Sequence, residues 1–395
     1  MKKKVLFVME SLGIGGAEKS LVTILSLLDQ SKYDVSLYLF RASGAFMDQI
    51  PRGIRVIPTP NVDALQKNFK TDWFTYLIHG YIKRSIYSLK WLIGCCFSRY
   101  IKHEKEYIGW ENSTHLYSNI PDEYDVAIGF LEKKTTYFVV DHVKAKKKIA
   151  FMHTDYESIP HNDKLDREYF QQLDYLAVVS EHTGETMLKY FPFMEEKIRI
   201  IKNMVSPEII RGMAEEEALG MNKKSNSIRL VSVGRLTTQK NIDGAIRVLA
   251  ALRELGVEAE WFVVGEGEER VNLEKAIKEY GVEEHFHLLG AKSNPYPYMR
   301  CCDVYVQPSR WEGYGITVAE AKVLCKPIVV SSIPEFKEQI VDGITGVICE
   351  NEEKMVQSII QIINNSEFRE KLVENLQRCT YSSEEIKKLE ALWEA

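Results

Sequence analysis

The sequence predicts a protein of two α/β domains, each built on a doubly wound parallel sheet. Three observations carry this. Short β-branched runs recur along the chain and are apolar throughout rather than in alternation, the pattern of strands buried on both faces. Helical periodicity fills the intervals between them, and strand–helix alternation builds parallel sheets covered on both sides. The chain has 395 residues, too many for one ordinary domain and suited to two of about 150–200 residues each. With 45% hydrophobic and 27% charged residues, it has the composition of a globular protein with real cores.

The first run is VLFVM, residues 5–9. It follows three lysines and imitates a secretory leader, but five apolar residues ending at Glu10 are too few for one. It reads as a buried first strand. VSLYLF (35–40), IRVIP (54–58), DVAIGF (125–130), KKIAFMH (147–153), YLAVVS (175–180) and KIRIIKN (197–203) continue the series. The polar segment EEEALGMNKKSNS (215–227) has little to bury and reads as the linker region. A second series follows at once: IRLVSVG (228–234), AEWFVVG (259–265), HFHLLG (285–290), DVYVQPS (303–309) and KPIVVSS (326–332). The closing SSEEIKKLEALWEA couples a Ser cap to an amphipathic pattern, so a helix is expected there.

Other classes are disfavoured by composition. A net charge of −5 gives no global bias toward nucleic acid. No stretch reaches the roughly 18 uninterrupted apolar residues of a spanning helix, so no membrane crossing is expected. The seven cysteines, odd in number and without metal-type spacing, read as reduced, intracellular thiols.

Two such domains facing a cleft would bind a ligand at the carboxyl ends of their strands, and four segments fall there. In MESLGIGGAEKS a strand gives way to Gly13, Gly15 and Gly16 before a helix, which suits an anion but equally a tight turn. In SVGRLTTQKN, Arg235 and Lys240 follow a strand within six residues. A guanidinium fork and an ammonium suit a diphosphate, although each cation taken singly also reads as a solvated surface charge. VVGEGEER places Gly265 and Gly267 at a third strand end. In RWEGYGITVAEA a helix starting near Ile316 would leave the amides of Tyr314 and Gly315 at its N-terminus. Glu320 then lies in its early turns and Glu312 in the loop ahead, so the two carboxylates can reach different parts of one elongated ligand.

Together, GGAE, SVGRLTTQKN, VVGEGEE, LLG, NPYPYM and PSRWEGYGITVAEA closely resemble the retaining glycosyltransferases of family 4. The resemblance spans both halves of the chain, with Glu312 and Glu320 as the family's E-x7-E pair. It implies the GT-B fold, with residues 1–206 as the acceptor-binding domain and 207–378 as the nucleotide-sugar domain. Residues 379–395 would then be a helix returning to the first. It further implies a nucleotide-sugar donor, most readily UDP-linked. Glu320 would bind ribose hydroxyls, Glu312 would sit against the transferred sugar, and Arg235 and Lys240 would hold the diphosphate. Gly15 and Gly16 would close over that diphosphate, with Gly265, Gly267, Tyr314, Gly315 and Ile316 completing the donor site. His153, in AFMHTD, would face the donor sugar, with Asp155 and Ser180 nearby. No Asp-x-Asp pair suits a metal-bound diphosphate, so no metal and no cofactor beyond the donor are expected. Retention can follow from same-face attack, on the family's pattern, or from a double displacement with Glu312 as nucleophile.

Residues 67–105 stand apart, with eight cations against two acids and aromatic residues interleaved. Trp73, Lys83, Arg84, Lys90 and Trp91 fit an in-plane membrane helix attracted to anionic lipid, or else helices that cover the first sheet with a solvated basic face. The resemblance favours the first reading, since many relatives extend glycans on polyprenyl diphosphate lipids. The expectation is an enzyme of surface-polysaccharide or cell-envelope glycan synthesis, cytoplasmic and peripheral on the inner face of the plasma membrane, acting on a lipid-linked glycan acceptor. The alternatives are a soluble GT-B enzyme acting on a small sugar or sugar phosphate, and a non-catalytic nucleotide-sugar-binding protein.

Overall fold

The computed structural model describes residues 2–57, 117–221, 227–379 and 384–394, together with residues 86, 89, 110 and 114. The insertion expected at 67–105 lies outside the described residues apart from Ile86 and Leu89, so Trp73, Lys83, Arg84, Lys90 and Trp91 are outside them too. The chain forms two compact units, Met1–Lys202 with Glu384–Ala395, and Asn203–Ser383.

The first unit contains β1 (Lys3–Met9), α1 (Gly16–Leu27), β2 (Tyr33–Leu39), β3 (Arg55–Ile57), β4 (Glu123–Gly129), α2 (Lys134–His142), β5 (Lys144–Met152), α3 (Asp163–Phe170), β6 (Tyr175–Val178), α4 (Glu181–Tyr190) and β7 (Ile198–Ile200). Its sheet runs β3-β2-β1-β4-β5-β6-β7, with every neighbouring pair parallel. Val5 pairs with both Val35 and Val126, which puts β1 in the interior of the sheet, between β2 and β4. Its five apolar residues are fully buried, and this explains the unbroken VLFVM. Side chains set the helix starts: the Asn162 carboxamide accepts the Leu165 amide at 3.2 Å, and the Ser180 hydroxyl accepts the Thr183 amide at 3.1 Å.

The second unit contains α5 (Pro207–Met213), β8 (Ile228–Val233), α6 (Ile242–Glu254), β9 (Ala259–Val264), α7 (Arg270–Glu279), β10 (Phe286–Leu288), α8 (Tyr296–Cys301), β11 (Val304–Gln307), α9 (Ile316–Val323), β12 (Ile328–Ser331), α10 (Pro334–Gln339), β13 (Val347–Cys349), α11 (Glu352–Asn364) and α12 (Ser366–Gln377). Its sheet, again parallel throughout, runs β10-β9-β8-β11-β12-β13. Leu230 and Trp261 enter the core on one face, while Val231 and Phe262 enter the core on the other. Both faces are therefore apolar. The polar segment at 215–227 is not all linker, because Met221 is buried in this second core.

A last helix, α13 (Glu384–Glu394), belongs to the first unit. Its Trp393 ring stands edge-on to Tyr33 at 5.4 Å, and the Trp393 carbonyl accepts the Lys3 ammonium at 2.6 Å.

In each sheet the order reverses once, between β1 and β4 and between β8 and β11. Connections leave in opposite directions at such a point and open a crevice at the strands' carboxyl ends, where α/β proteins take their ligands.

Candidate functional site

The crevice of the second unit is made by the loops after β8 and β11. The first ends in a short helical turn, Thr238–Lys240, followed by Asn241 in the left-handed region at φ 54°. The second runs from Pro308 to Gly315. Backbone and side-chain bonds lace them together: the Arg310 amide donates to the Gln239 carbonyl at 2.8 Å, the Gln239 carboxamide to the Trp311 carbonyl at 3.0 Å, and the Asn241 carboxamide to the Pro308 carbonyl at 2.9 Å. Arg310 also pairs with Asp243 at 2.8 Å. Burial acts to raise the Asp243 carboxyl, but Arg310 and Arg247 outweigh it and hold the group below its usual range.

Lys240 and Glu312 meet inside this lacing. The ammonium lies 2.6 Å from Glu312 Oε1, with the two side chains only 13% and 6% exposed. The Ser309 hydroxyl donates to the same oxygen at 2.7 Å. Oε2 makes no hydrogen bond among the described residues. Arg235 is different. It is exposed and, among the described residues, forms no ion pair.

Glu320 lies in α9 at 1% exposure, and the Tyr296 hydroxyl donates to its Oε1 at 2.9 Å. Burial, then the charge of Glu320, pushes the Tyr296 phenol well above its usual range, so the tyrosine remains a donor. The turn that launches α9 requires glycine at 315. Its φ is 79°, and a Cβ there would come within 2.5 Å of the Phe336 ring. The Gln339 carboxamide bonds the Tyr314 carbonyl and fixes the turn from behind. Helix geometry then leaves the amides of Ile316 and Thr317 without intrahelical acceptors. Gly265 has a packing reason of its own, since a Cβ would fall 1.8 Å from the Gly234 carbonyl oxygen. The turns after β8 and β9 touch there backbone to backbone, and Gly267 similarly meets Leu236.

The remaining expected residues belong to the first unit. Gly15 caps α1 and Gly16 opens it, at the carboxyl end of β1. His153 directly follows β5 and is buried, its ring stacked on Phe151 at 5.5 Å and tilted against Phe130 at 4.8 Å. Its backbone amide donates to Glu132 Oε1 at 2.7 Å. Asp155 accepts the Ser158 hydroxyl at 3.0 Å, and Ser180 is the cap of α4. The structure thus joins Lys240 with Glu312 directly and sets Gly315, Ile316 and Glu320 on one helix start. Sequence reasoning missed Glu132, Tyr296, Gln307, Ser309 and Gln339. Ser309 stands three residues before Glu312, a spacing that could have flagged it, and Tyr296 lies in the quoted NPYPYM without a role.

Known proteins resemble this chain in sequence and in fold. The chain is 24% identical over 362 residues, 91% of its own length and 90% of the relative's, to a Campylobacter jejuni protein named N-acetylgalactosamine-N,N'-diacetylbacillosaminyl-diphospho-undecaprenol 4-alpha-N-acetylgalactosaminyltransferase. An uncharacterized glycosyltransferase of Methanocaldococcus jannaschii is 28% identical over 215 residues, covering 52% of this chain and 55% of that protein. Among the curated relatives, four matches of this kind reach only 38–59% of the relative's length. Among solved structures, Anabaena HepE in complex with UDP-glucose superimposes with a TM-score of 0.68 at 17% identity, over 99% of this chain and 100% of that one. TarM gives 0.67 at 16% identity, over 100% and 99%. With its two parallel-sheet units the protein has the GT-B fold, and residues 215–378, which carry the Lys240–Glu312 pair and Glu320, match the family described as Glycosyl transferases group 1.

Proposed function

We propose that the protein is a retaining glycosyltransferase of family 4. It takes a UDP-linked sugar and transfers it to a hydroxyl of a lipid-linked glycan acceptor in surface-polysaccharide or cell-envelope glycan synthesis. The observation that carries this is the Lys240–Glu312 pair, at the point where the second sheet reverses its order, with the exposed Arg235 on the same loop after β8. An ammonium has three donors. Lys240 spends one on Glu312 and keeps two for a phosphate oxygen, while the Arg235 guanidinium offers a fork. The N-terminus of α9 adds unpaired amides and a positive dipole end. These groups meet the charge that grows on the departing nucleoside diphosphate, and no metal ion is required for it.

Glu320, held by Tyr296, accepts the ribose hydroxyls. Glu312 turns its unbonded Oε2 to the transferred sugar, and Gly15, Gly16 and His153 serve the donor from the first unit. In same-face attack the acceptor oxygen bonds to the anomeric carbon as the bond to phosphate breaks, and the acceptor's proton passes to the departing phosphate oxygen. The Campylobacter relative is named for a diphospho-undecaprenol substrate, and this supports a lipid-linked acceptor. Among the described residues no helix is long and apolar enough to cross a membrane. The basic, aromatic stretch at 67–105, where Ile86 and Leu89 are exposed apolar residues, is proposed to hold the protein on the cytoplasmic face of an anionic membrane. Flotation with anionic vesicles that survives replacement of Lys83, Arg84 and Lys90 by Glu would remove that part.

The test of the whole reading is UDP release from a panel of UDP-sugars with polyprenyl-diphosphate-linked saccharides as acceptors. Release should need the acceptor, persist in EDTA, and give a product of unchanged anomeric configuration. No release with any donor, together with no UDP binding by calorimetry, overturns the proposal.

A further inference from the structure

A line of buried polar side chains runs along β11 into the loop that carries Glu312. The Tyr305 hydroxyl lies 2.7 Å from Gln307 Oε1, Gln307 Nε2 lies 3.0 Å from Ser309 Oγ, and Ser309 Oγ lies 2.7 Å from Glu312 Oε1. Tyr305, Gln307 and Ser309 are at most 1% exposed. A core strand ordinarily carries apolar residues at such positions, and a buried amide is costly unless both its ends are satisfied.

The charged end sets the direction of the line. Paired with Lys240, the Glu312 carboxylate only accepts, so Ser309 must donate its single proton to it. The Ser309 oxygen then takes its hydrogen bond from an N–H, which turns Gln307 Nε2 toward it and leaves Gln307 Oε1 to accept the Tyr305 proton. Each member has one arrangement, and each is fixed by the next.

We infer that Gln307 is a positioning residue for transfer: by committing the Ser309 proton to Glu312 Oε1, it holds the carboxylate so that Oε2 stays aimed at the reacting sugar. This rests on the reading of Glu312 given above. Lys240 alone does not do this, because a flexible ammonium attracts a carboxylate without fixing its rotation. A continuous buried line of directed hydrogen bonds does fix it. Gln307 itself touches no substrate. Its loss should therefore leave donor affinity in place and slow turnover, since small misplacements of a reacting group are expensive in rate.

The experiment compares wild type with Gln307→Leu, Ser309→Ala and Ser309→Thr in acceptor-dependent UDP release, with UDP affinity measured by calorimetry. Expected are a roughly 10- to 100-fold fall in kcat for Gln307→Leu and Ser309→Ala, and UDP affinity and donor KM within about threefold of wild type. Ser309→Thr, which keeps the hydroxyl, should stay within about threefold in kcat. If Gln307→Leu does not fold, Tyr305→Phe removes the far end of the line while keeping its shape, and kcat should fall several-fold. A kcat within twofold of wild type in a folded Gln307→Leu or Tyr305→Phe protein overturns the inference. So does a crystal structure of either variant in which the Glu312 carboxylate keeps its place and rotation, a readout that stands even if no donor is turned over. Wild-type protein without UDP release would count against the functional reading instead.

Discussion

Arg235 and Lys240 look equivalent in the sequence, two cations five residues apart, and the structure separates them. Arg235 is exposed and without an ion pair among the described residues, so Arg235→Ala should lower kcat by at least about a hundredfold while the melting temperature barely moves. Removing Lys240 strands a carboxylate that is 6% exposed. Breaking a buried pair in this way costs about 3–5 kcal/mol, so Lys240→Ala should lower both turnover and the second unit's thermal transition. The sequence showed the E-x7-E spacing because it is local. It could not show a contact between residues 72 apart, which depends on two loops meeting across a sheet. Asp166 was invisible for the same reason. Burial raises its carboxyl above the ordinary 3.8, although Tyr137 and Tyr156 donate to it. Between 3.8 and its raised folded value the native state binds the extra proton, so this carboxyl's contribution to stability is greatest at low pH and declines as pH rises through that window. Asp166→Asn should flatten this slope in hydrogen exchange of the first unit measured from pH 4 to 7. An unchanged slope would assign it to another group.

At the scale of elements, twelve strands were legible as short apolar runs, because the inner strands of each sheet are covered on both faces. The thirteenth, β13, was not. It has three residues and pairs only with β12 at the sheet edge. The start of α9 was readable from Gly-Tyr-Gly, yet the reason for glycine at 315 is the Phe336 ring from α10, which is a tertiary fact. Gly315→Ala should cost more than about 1 kcal/mol, since alanine must adopt a positive φ and displace that ring. A thermal melt showing an unchanged second unit would mean that the turn relaxes more freely than its packing suggests. The lacing between the loops after β8 and β11 left no trace in composition or periodicity, because it runs largely through backbone carbonyls.

For the whole molecule, the resemblance and the alternation of elements were enough to indicate two Rossmann-like units. The first unit, however, is discontinuous, and its final helix is separated from its sheet by residues 203–383. A ribosome must therefore deliver the entire second unit before α13 exists. At about 5–20 residues per second, those roughly 180 residues take on the order of ten to forty seconds. Through that interval the nascent first sheet presents Tyr33 without Trp393 across it and Lys3 without its carbonyl partner. Leu389 and Trp393, both buried in the finished fold, arrive last and close a surface that has been wet until then. A chain ending at residue 383 should reproduce this interval permanently, with a lowered transition for the first unit beside an unaltered one for the second. Two undisturbed transitions would show that the sheet is complete without α13. If the lowered transition is found, completion of the first unit is timed by the synthesis of the second, and the newborn protein is most open to proteases and chaperones just before its last helix emerges.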